Sequence, residues 1–389
     1  MNSPPEVPLP VLMLVVFVAA KVFSEIFERL RLPGLVGEIL AGVLIGPSVL
    51  GWVHPAPLLT HLSELGVLFL LFRVGLEVKS SEMLKVGGTA FLVATVGVLV
   101  PLMMGWAIFQ AWGFGHIESI FVGAALVATS VGITAQVLSA KKKLHEVSSQ
   151  IILAAAVIDD VLGLIVLAAV SSMARGQVKV LDIVLTATLP IIFMIVMAKW
   201  GSHTVSRAVP ALQQRLRASE AQFHLAIVLL FGLSVMALYT GVAAIVGAFL
   251  AGMSLGESAG HRVHTLVHGT AELLVPFFLV GIGLHIDLSV FRDGATILLT
   301  LVILAAAVVS KLIGCGAGAL RLGLRNALKV GFGMVPRGEV GMVVAQLGLA
   351  MGAISQRVYG IVVFTALATT VVAPPLLALA YRQNPPSGD

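Results

Sequence analysis

Long apolar runs follow one another along almost the whole chain, and they constrain its fold more than any other feature. About thirteen of them approach the 20 residues that an α-helix needs to cross a hydrocarbon core. They lie near residues 9–29, 34–50, 63–78, 88–112, 118–139, 148–172, 181–204, 220–239, 242–258, 266–286, 294–319, 327–350 and 357–381. The runs leave no room for a soluble domain. The pattern predicts an all-α integral membrane protein whose 389 residues form one transmembrane unit.

Charged side chains are scarce. They make up 11% of the sequence, whereas a soluble domain has about 25%, and this excludes a soluble globular enzyme. The net charge of +5 does not indicate a nucleic-acid partner, because the basic residues form no motif that reads bases. A single cysteine, Cys315, excludes a disulfide framework and a thiolate-rich metal site. We expect no cofactor.

The lysines and arginines are unevenly divided between alternate loops, and this predicts the orientation of the chain. Roughly sixteen fall on one side and four on the other, and cytoplasmic loops hold the excess. The N-terminus is therefore expected outside and the C-terminus in the cytoplasm, which requires an odd number of spans. Residues 1–10 carry no lysine or arginine, so the first span is expected to be retained rather than cleaved. We expect a multi-pass protein of the cell inner membrane, in contact with lipid.

The sequence resembles itself at a shift of 208 to 210 residues. Three segments match, each in a different span: 36–42 (VGEILAG) with 246–252 (VGAFLAG), 74–76 (VGL) with 282–284 (IGL), and 130–132 (SVG) with 339–341 (EVG). The shift moves along the chain by seven spans, and an odd number inverts the second copy across the membrane. Two inverted six-helix repeats joined by a linker helix, 181–204, are the architecture of many secondary transporters.

Glycine and proline interrupt the fifth and twelfth spans at matching places. The fifth span contains ATSVGIT at 128–134 and the twelfth contains PRGEVG at 336–341. Glycine or proline in the middle of a span leaves backbone carbonyls without a helical hydrogen-bond partner. These carbonyls can bind a cation or accept hydrogen bonds from side chains. We expect both helices to unwind here and the transport site to lie near the midplane, where they cross.

A few charged side chains remain inside the apolar runs, where each costs at least about 2.5–3.5 kcal/mol. Asp159 and Asp160 are adjacent in the sixth span, Lys311 lies midway along the eleventh, and Arg337 and Glu339 lie in the interrupted twelfth. A carboxylate binds either a hard cation through its oxygens or a proton, but not both. The set predicts an exchanger at which cation and proton compete.

Adjacent residues of a helix point about 100° apart, so the two aspartates cannot both face one ion. We predict that Asp160 binds the cation and the proton and that Asp159 pairs with Lys311. The alternative is that these charges only brace the bundle, for which two adjacent acids are expensive. Arg337 and Glu339 either line the ion path or, as we favour, neutralise helix-end dipoles at the crossing.

Other charges in the spans have simpler interpretations. Arg73 and Glu77 are spaced i,i+4, as are Lys21 and Glu25, and a local ion pair is expected in both cases. Glu38, in the short second span, either has a structural role or faces a water-filled funnel. The sequence leaves both alternatives open for Glu38.

Taken together, these segments resemble the bacterial NapA-type sodium/proton antiporters of the monovalent cation:proton antiporter-2 family. The resemblance covers essentially the whole chain, and its specific markers are the segments 33–42, 126–135, 156–163 and 336–341. It implies an NhaA-like antiporter fold and a homodimer. It also implies elevator-like alternating access, in which a core domain (88–172 and 294–381) slides against a dimerisation domain (9–78 and 220–286).

The same resemblance implies roles for individual residues. Asp160 would be the Na⁺ site, Asp159 the salt-bridge partner of Lys311, and Thr129 and Ser130 would lie at the unwound crossing. Family members with paired aspartates are typically electrogenic, so the expected function is electrogenic exchange of Na⁺ or Li⁺ for H⁺, serving pH homeostasis. A K⁺/H⁺ antiporter of the same fold remains open, because the number of carboxylates does not set the cavity size that selects among cations.

Two functions of other classes fit the sequence less well. An intramembrane aspartyl protease needs two facing carboxyl groups that share a proton, which requires separate helices, whereas Asp159 and Asp160 are neighbours on one. An ion channel needs a continuous pore. The unsymmetrical Lys311 and the inverted repeat favour a carrier with two gates, which is a secondary transporter and not an enzyme.

Overall fold

The computed structural model describes residues 8–30, 32–78, 80–174, 220–256, 258–286 and 294–381, with a few isolated positions between 188 and 204. These residues are almost entirely helical. The helices are α1 (Leu9–Arg29), α2 (Gly34–Ile45), α3 (Pro57–Glu77), α4 (Ser80–Ala111), α5 (His116–Ala125), α6 (Val131–Ala140), α7 (Val147–Ala174), α8 (Ala221–Tyr239), α9 (Ala244–Leu255), α10 (His261–Leu284), α11 (Gly294–Gly318), α12 (Leu324–Gly333), α13 (Glu339–Ala350) and α14 (Gln356–Ala380), with a 3-10 turn at Leu320–Leu322.

Eight of the described helices are long and apolar enough to cross a membrane. Four shorter apolar helices accompany them: α2, α6, α9 and the apolar part of α13. Of these, α6 and α13 fall in the expected spans 118–139 and 327–350, each of which is divided into two helices. Large apolar side chains cover exposed faces, as at Leu14 (62% exposed) on α1 and Val228 (69%) on α8, where lipid is the natural solvent. The chain is therefore a multi-pass helical membrane protein. The expected linker helix, 181–204, lies outside the described residues apart from isolated positions, so the count of thirteen spans stays a prediction.

Two helices begin well before the apolar runs that predict them. α3 begins at Pro57 rather than near residue 63, and α4 begins at Ser80 rather than near residue 88. Proline suits a first helical turn because its missing N–H has no partner there in any case. α4 begins with the polar sequence SSE. An apolar window misses a polar first turn, so both predicted starts were too late.

Two groups of helices pack mainly within themselves. In the first, α3 packs against α9 and α10, α2 against α1 and α10, and α8 against α9. In the second, α4 packs against α5, α7 and α11, and α13 against α5 and α14. Contacts of α6 with α3 and of α14 with α2 join the groups. The division into a dimerisation domain (9–78 and 220–286) and a core domain (88–172 and 294–381) stays a prediction.

The self-similarity of the sequence corresponds to two reciprocal helix contacts. α2 crosses α10 so closely that a Cβ on Gly42 or on Gly283 would overlap a backbone carbonyl of the facing helix. α9 crosses α3 in the same way at Gly252 and Gly75. Gly42 matches Gly252 in the repeat, and Gly75 matches Gly283. Each repeat therefore supplies one helix to each contact, and small residues allow the close approach that is common between membrane helices.

Candidate functional site

Two extended segments cross near the middle of the second helix group. The chain is non-helical between the end of α5 at Ala125 and the start of α6, and again between the end of α12 at Gly333 and the start of α13. The two segments are joined directly, because the backbone N of Ser130 donates to Pro336 O at 2.7 Å. A Cβ on Gly338 would lie 3.1 Å from the Cβ of Ser130. The interruptions therefore fall where glycine and proline predicted them.

Threonine hydroxyls donate hydrogen bonds to backbone carbonyls at the end of α12, which have no partner within the helix. Thr129 Oγ1 donates to Met334 O at 3.3 Å, and Thr134 Oγ1 donates to Gly333 O at 2.6 Å. The last carbonyls of a helix have no partner within it and must find one elsewhere. The crossing is thus lined by hydroxyl and carbonyl oxygens. Such oxygens are ligands for hard cations.

Arg337 lies inside the crossing and is 1% exposed. Its Nη1 donates to Leu126 O and, at 3.1 Å, to Val127 O; its Nη2 donates to Ala307 O at 2.8 Å. Leu126 directly follows the last residue of α5, so the guanidinium lies against the negative end of that helix dipole. Glu339 is the first residue of α13, and its side chain lies outside the described part of the chain. The roles of Arg337 and Glu339 in transport remain predictions.

Asp159 and Lys311 form an ion pair between α7 and α11. Lys311 Nζ lies 3.1 Å from Asp159 Oδ1 and 3.2 Å from Oδ2, and both side chains are fully buried. The same two residues are paired in the prediction from the sequence. A buried charge is tolerated only when a partner and hydrogen bonds compensate its lost hydration, and these contacts supply both.

Asp160, the next residue of α7, is 4% exposed. It lies three residues before Gly163, and residues three apart share one face of a helix. A Cβ on Gly163 would come within 3.8 Å of Val340 Cγ1 on α13. The face of α7 that carries Asp160 therefore lies against the start of α13, at the crossing. Asp159 points away from this face, toward α11.

The carboxylates are few at this site. Among the described residues, no three His, Cys, Asp or Glu side chains are grouped closely enough to hold a metal ion. A cation bound at the crossing would therefore depend on one or two carboxylates together with hydroxyl and carbonyl oxygens. Weak, oxygen-only coordination of this kind suits an ion that must leave again.

Two expected local ion pairs were wrong. Arg73 binds Glu272 of α10 and Gln136 of α6, not Glu77. Lys21 binds Glu38 of α2, not Glu25, at 3.1 Å; Glu25 pairs instead with Arg29 on the exposed face of α1. The i,i+4 rule describes an isolated helix surface, whereas Arg73 and Lys21 face neighbouring helices.

Three cavities in the described part of the chain are lined by residues of both helix groups, and their lining includes residues that were not predicted from the sequence. Cavity A, of about 490 Å³, is lined by Glu38, Gln136 and Glu272 among others. Cavity B, of about 520 Å³, shares Gln136 and Glu272. Cavity C, of about 270 Å³, reaches Ser130 and Gly338. Of the two interpretations left open for Glu38, the one that places it beside a cavity agrees with this position. Gln136 and Glu272 are polar residues in apolar spans, which was the signal available for both.

Known proteins resemble the chain over almost its full length. The family described as sodium/hydrogen exchanger, transmembrane, matches residues 12–381. A Na⁺/H⁺ antiporter of Enterococcus hirae is 32% identical over 93% of this chain and 95% of its own. The Na⁺/H⁺-K⁺ antiporter GerN of Bacillus cereus is 32% identical over 94% of both chains. The high-affinity Na⁺/H⁺ antiporter NhaS3 of Synechocystis sp. is 33% identical over 95% of this chain and 89% of its own.

The fold is also similar to a solved one. The sodium proton antiporter MjNhaP1 of Methanocaldococcus jannaschii superposes with a TM-score of 0.70 at 16% identity, over 95% of both chains. At that identity the likeness concerns the helical membrane fold alone. The family match and the bacterial relatives support the assignment. They confirm the expected monovalent cation/proton antiporter family, while the narrower NapA type stays a prediction. The chain belongs to the sodium/hydrogen exchanger family, whose members are secondary transporters of monovalent cations and protons and not enzymes.

Proposed function

We propose that the chain exchanges Na⁺ or Li⁺ for H⁺ at Asp160. The observation that carries the proposal is that the two adjacent acids, Asp159 and Asp160, face different neighbours. Asp159 is held by Lys311 on α11, whereas the face of α7 that carries Asp160 lies against the crossing. A single carboxylate among hydroxyl and carbonyl oxygens binds a hard cation or a proton. Because the two compete for Asp160, arrival of one favours release of the other.

Exchange also requires that the site open to one side of the membrane at a time. In the proposal, the core domain (88–172 and 294–381) moves against the dimerisation domain (9–78 and 220–286) in an elevator-like manner, and two chains form a homodimer. The exposed apolar side chains of α1 and α8 would then contact lipid or a second copy. Following the positive-inside rule, the loop 141–146, with Lys141, Lys142 and Lys143, would lie in the cytoplasm, as would the C-terminus, with the N-terminus outside the inner membrane.

Electrogenic exchange needs a second group that can carry a proton beside Asp160. Asp159, which pairs with Lys311, is the residue next to Asp160 on α7, and this proximity supports such a role for the pair. If one cation is exchanged for two protons, net charge crosses the membrane in each cycle. The proposal therefore includes an electrogenic stoichiometry and a contribution to pH homeostasis.

Potassium is a second candidate for the transported cation. The observation that favours it is the similarity to GerN, named a Na⁺/H⁺-K⁺ antiporter, at 32% identity over 94% of both chains. Selectivity among Na⁺, Li⁺ and K⁺ depends on the size and rigidity of the oxygen cage rather than on carboxylate number.

Proteoliposomes that contain the purified protein test the proposal. Jumps of Na⁺, Li⁺ or K⁺ on a solid-supported membrane measure charge movement, and a pH dye in the lumen measures proton flux. We expect Na⁺ and Li⁺ to drive both signals, Asp160→Asn to abolish both, and Glu25→Gln, the same change at an exposed residue of α1, to leave both intact. Retained sodium-dependent proton flux in Asp160→Asn would remove Asp160 from the mechanism. A response to K⁺ alone would select the second candidate, and proton flux without current would exclude electrogenic exchange.

A further inference from the structure

In the described part of the chain, the cavity that touches the crossing lies toward one end of the helix bundle. Cavity C touches three residues of the crossing, Ser130, Arg337 and Gly338. Cavities A and B lie toward the opposite end, beside the loop 141–146: Lys141 lines cavity A and Lys142 lines cavity B. We call this end the lysine-rich end. The described lining of A and B includes no residue of the crossing segments 126–130 and 334–338.

A barrier of one helical turn separates the cavities. α6 passes from cavity C, which Gly132 lines, to cavities A and B, which Gln136 lines. Four residues of helix rise about 6 Å. On the side of cavity C the barrier is tight, because a Cβ on Gly132 would lie 3.2 Å from Val67 Cγ2 of α3 and 3.4 Å from Phe278 Cζ of α10.

Arg73 closes the barrier on the side of the lysine-rich end. It lies on α3 and is 8% exposed. Its Nη1 donates to Glu272 Oε1 of α10 at 3.0 Å, and its Nη2 donates to Gln136 Oε1 of α6 at 3.1 Å. His268, one turn before Glu272, places Nδ1 3.9 Å from Glu272 Oε1. The planar guanidinium can hold two acceptors at once, so one side chain ties α6 to both helices that face it.

The two contacts of Arg73 differ in kind. α3 and α10 belong to the first helix group, so the bond to Glu272 joins helices that already pack together. α6 belongs to the second group, and the bond to Gln136 spans the boundary between the groups. Any motion that opens the crossing toward the lysine-rich end must part α6 from α3 and must therefore break the Arg73–Gln136 bond.

We propose that Arg73 is a positioning residue for the exchange, which holds α6 against α3 and α10 and keeps the crossing closed toward the lysine-rich end. The inference rests on the proposed alternating access. When the crossing opens, the hydrogen bond from Arg73 to Gln136 breaks and the one to Glu272 is kept. A hydrogen bond to a charged group is strong enough to shift a two-state equilibrium about tenfold. Loss of the Arg73–Gln136 bond therefore favours the state open to the lysine-rich end.

Two substitutions at one position should move the equilibrium in opposite directions. Gln136→Ala removes the acceptor and leaves Arg73 bound to Glu272, so the state open to the lysine-rich end should gain. Gln136→Glu offers Arg73 a carboxylate, and charge-assisted bonds are about twice as strong as neutral ones, so that state should become rarer. Arg73→Lys keeps the charge but loses the two-pronged contact and should resemble Gln136→Ala.

Thiol labelling measures the equilibrium without requiring transport. Val67 lines cavity C and contacts Gly132, so Val67→Cys reports access from that side to a membrane-impermeant thiol reagent. The native Cys315 is fully buried, and the chain without Val67→Cys supplies the background. We expect Gln136→Ala to slow labelling from the cavity C side several-fold and Gln136→Glu to speed it. Arg29→Gln, which breaks an exposed pair within α1, should change nothing.

Exchange kinetics supply a second readout. In vesicles of the two orientations, Gln136→Ala should lower the KM for Na⁺ at the lysine-rich end and raise it at the other end, because apparent affinity scales with the fraction of the competent state. A structural role alone would change the amount of folded protein or the maximal rate and leave the ratio of the two KM values unchanged. Labelling rates that are equal in the variants and the parent chain would overturn the inference. So would changes of the labelling rate in the same direction in Gln136→Ala and Gln136→Glu. Wild-type chains that label as expected but exchange no cation for protons would overturn the proposed function instead.

Discussion

Lys311 and Asp159 form a two-pronged ion pair that solvent does not reach. Lys311 Nζ lies 3.1 and 3.2 Å from the two carboxylate oxygens, and neither side chain is exposed. The pair joins α11 to α7 one residue before Asp160. Any change in the charge of this pair therefore changes the electrostatic potential next to the proposed cation site. Its burial also makes the two charges depend on each other for stability.

Removing one partner of this pair should cost more stability than removing both. Asp159→Asn leaves the Lys311 ammonium buried without its counter-charge and should lower the free energy of unfolding by about 3–5 kcal/mol. The double change Asp159→Asn with Lys311→Gln leaves two neutral groups and should recover a large part of that loss. Apparent melting temperatures in detergent measure both effects. If the double variant melts no higher than Asp159→Asn, the pair does not carry the interaction energy assigned to it.

Arg337→Lys should weaken the crossing although it keeps the charge. An ammonium is a point donor and cannot reach Leu126 O, Val127 O and Ala307 O together as the guanidinium does. Loss of two charged hydrogen bonds should lower the free energy of unfolding by about 3–6 kcal/mol. Thermal unfolding checks this, with Arg29→Lys at the exposed end of α1 as the matched control. Equal melting of Arg337→Lys and wild type would show that one donor is sufficient here.

The crossing and its neighbours were predictable because local chemistry decides them. Pro336 and Gly338 interrupt the twelfth span whatever surrounds it, and a buried lysine and a buried aspartate in apolar spans each require a partner. The self-match at a shift of about 210 residues further pointed to paired interruptions. The interruptions followed from one segment and its copy, whereas the pairing of Asp159 with Lys311 followed from the need of each buried charge for a partner of opposite sign.

The partners of Arg73 and Lys21 were not predictable in this way. Both residues have an acid one helical turn away, which the local rule favours, yet both bind a residue of another helix. The choice depends on which face of α3 or α1 is turned toward its neighbours. In a helix that is apolar nearly all round, hydrophobic periodicity does not give that face. Gln136 and Glu272 were missed for the same reason.

The reciprocal glycine contacts predict matched losses of stability. Gly75→Ala and Gly283→Ala each place a methyl group on a backbone carbonyl of the facing helix, which cannot rotate away, so helices must separate. Each should cost about 1–3 kcal/mol or more and reduce the yield of folded protein. Gly88→Ala in α4, where a Cβ would meet nothing within 4 Å, should be neutral or stabilise by up to about 1 kcal/mol. Equal yields of the three variants would contradict the close crossings.

A polar cluster at the lysine-rich end ties the loop 141–146 to α12 and to the end of α14. Glu146 accepts from Lys143 at 2.8 Å and from Lys329 at 2.5 Å. Lys329 Nζ also lies 4.5 Å from the ring centre of Tyr381. Burial raises the pKa of Tyr381 to about 12, so its phenol stays protonated over the working pH range. Of these groups, Glu146 is the one that an acid titration should report.

Acid should therefore weaken this cluster through Glu146. Burial acts to raise the pKa of Glu146, but the hydrogen bonds from Lys143 and Lys329 outweigh it and hold the pKa below its ordinary value of 4.5. A lowered pKa stabilises the fold above the ordinary value, and the gain is lost as the pH falls through the lowered one. Glu146→Gln should reduce the free energy of unfolding at pH 7 by about 0.2–1 kcal/mol, the range measured for ion pairs at the protein surface.

The pH dependence of melting separates this electrostatic effect from simple loss of packing. Wild type and Glu146→Gln should differ in melting temperature at pH 7 and converge as the pH falls below 4.5 and through the lowered pKa of Glu146, because wild-type Glu146 then also becomes neutral. High salt should narrow the gap at pH 7, since screening weakens partly exposed pairs. Glu25→Gln, whose partner Arg29 is exposed on α1, should change melting little at either pH. A gap in melting temperature that stays constant from pH 7 down to pH 2 would mean that Glu146 stabilises the loop through its shape and not through its charge.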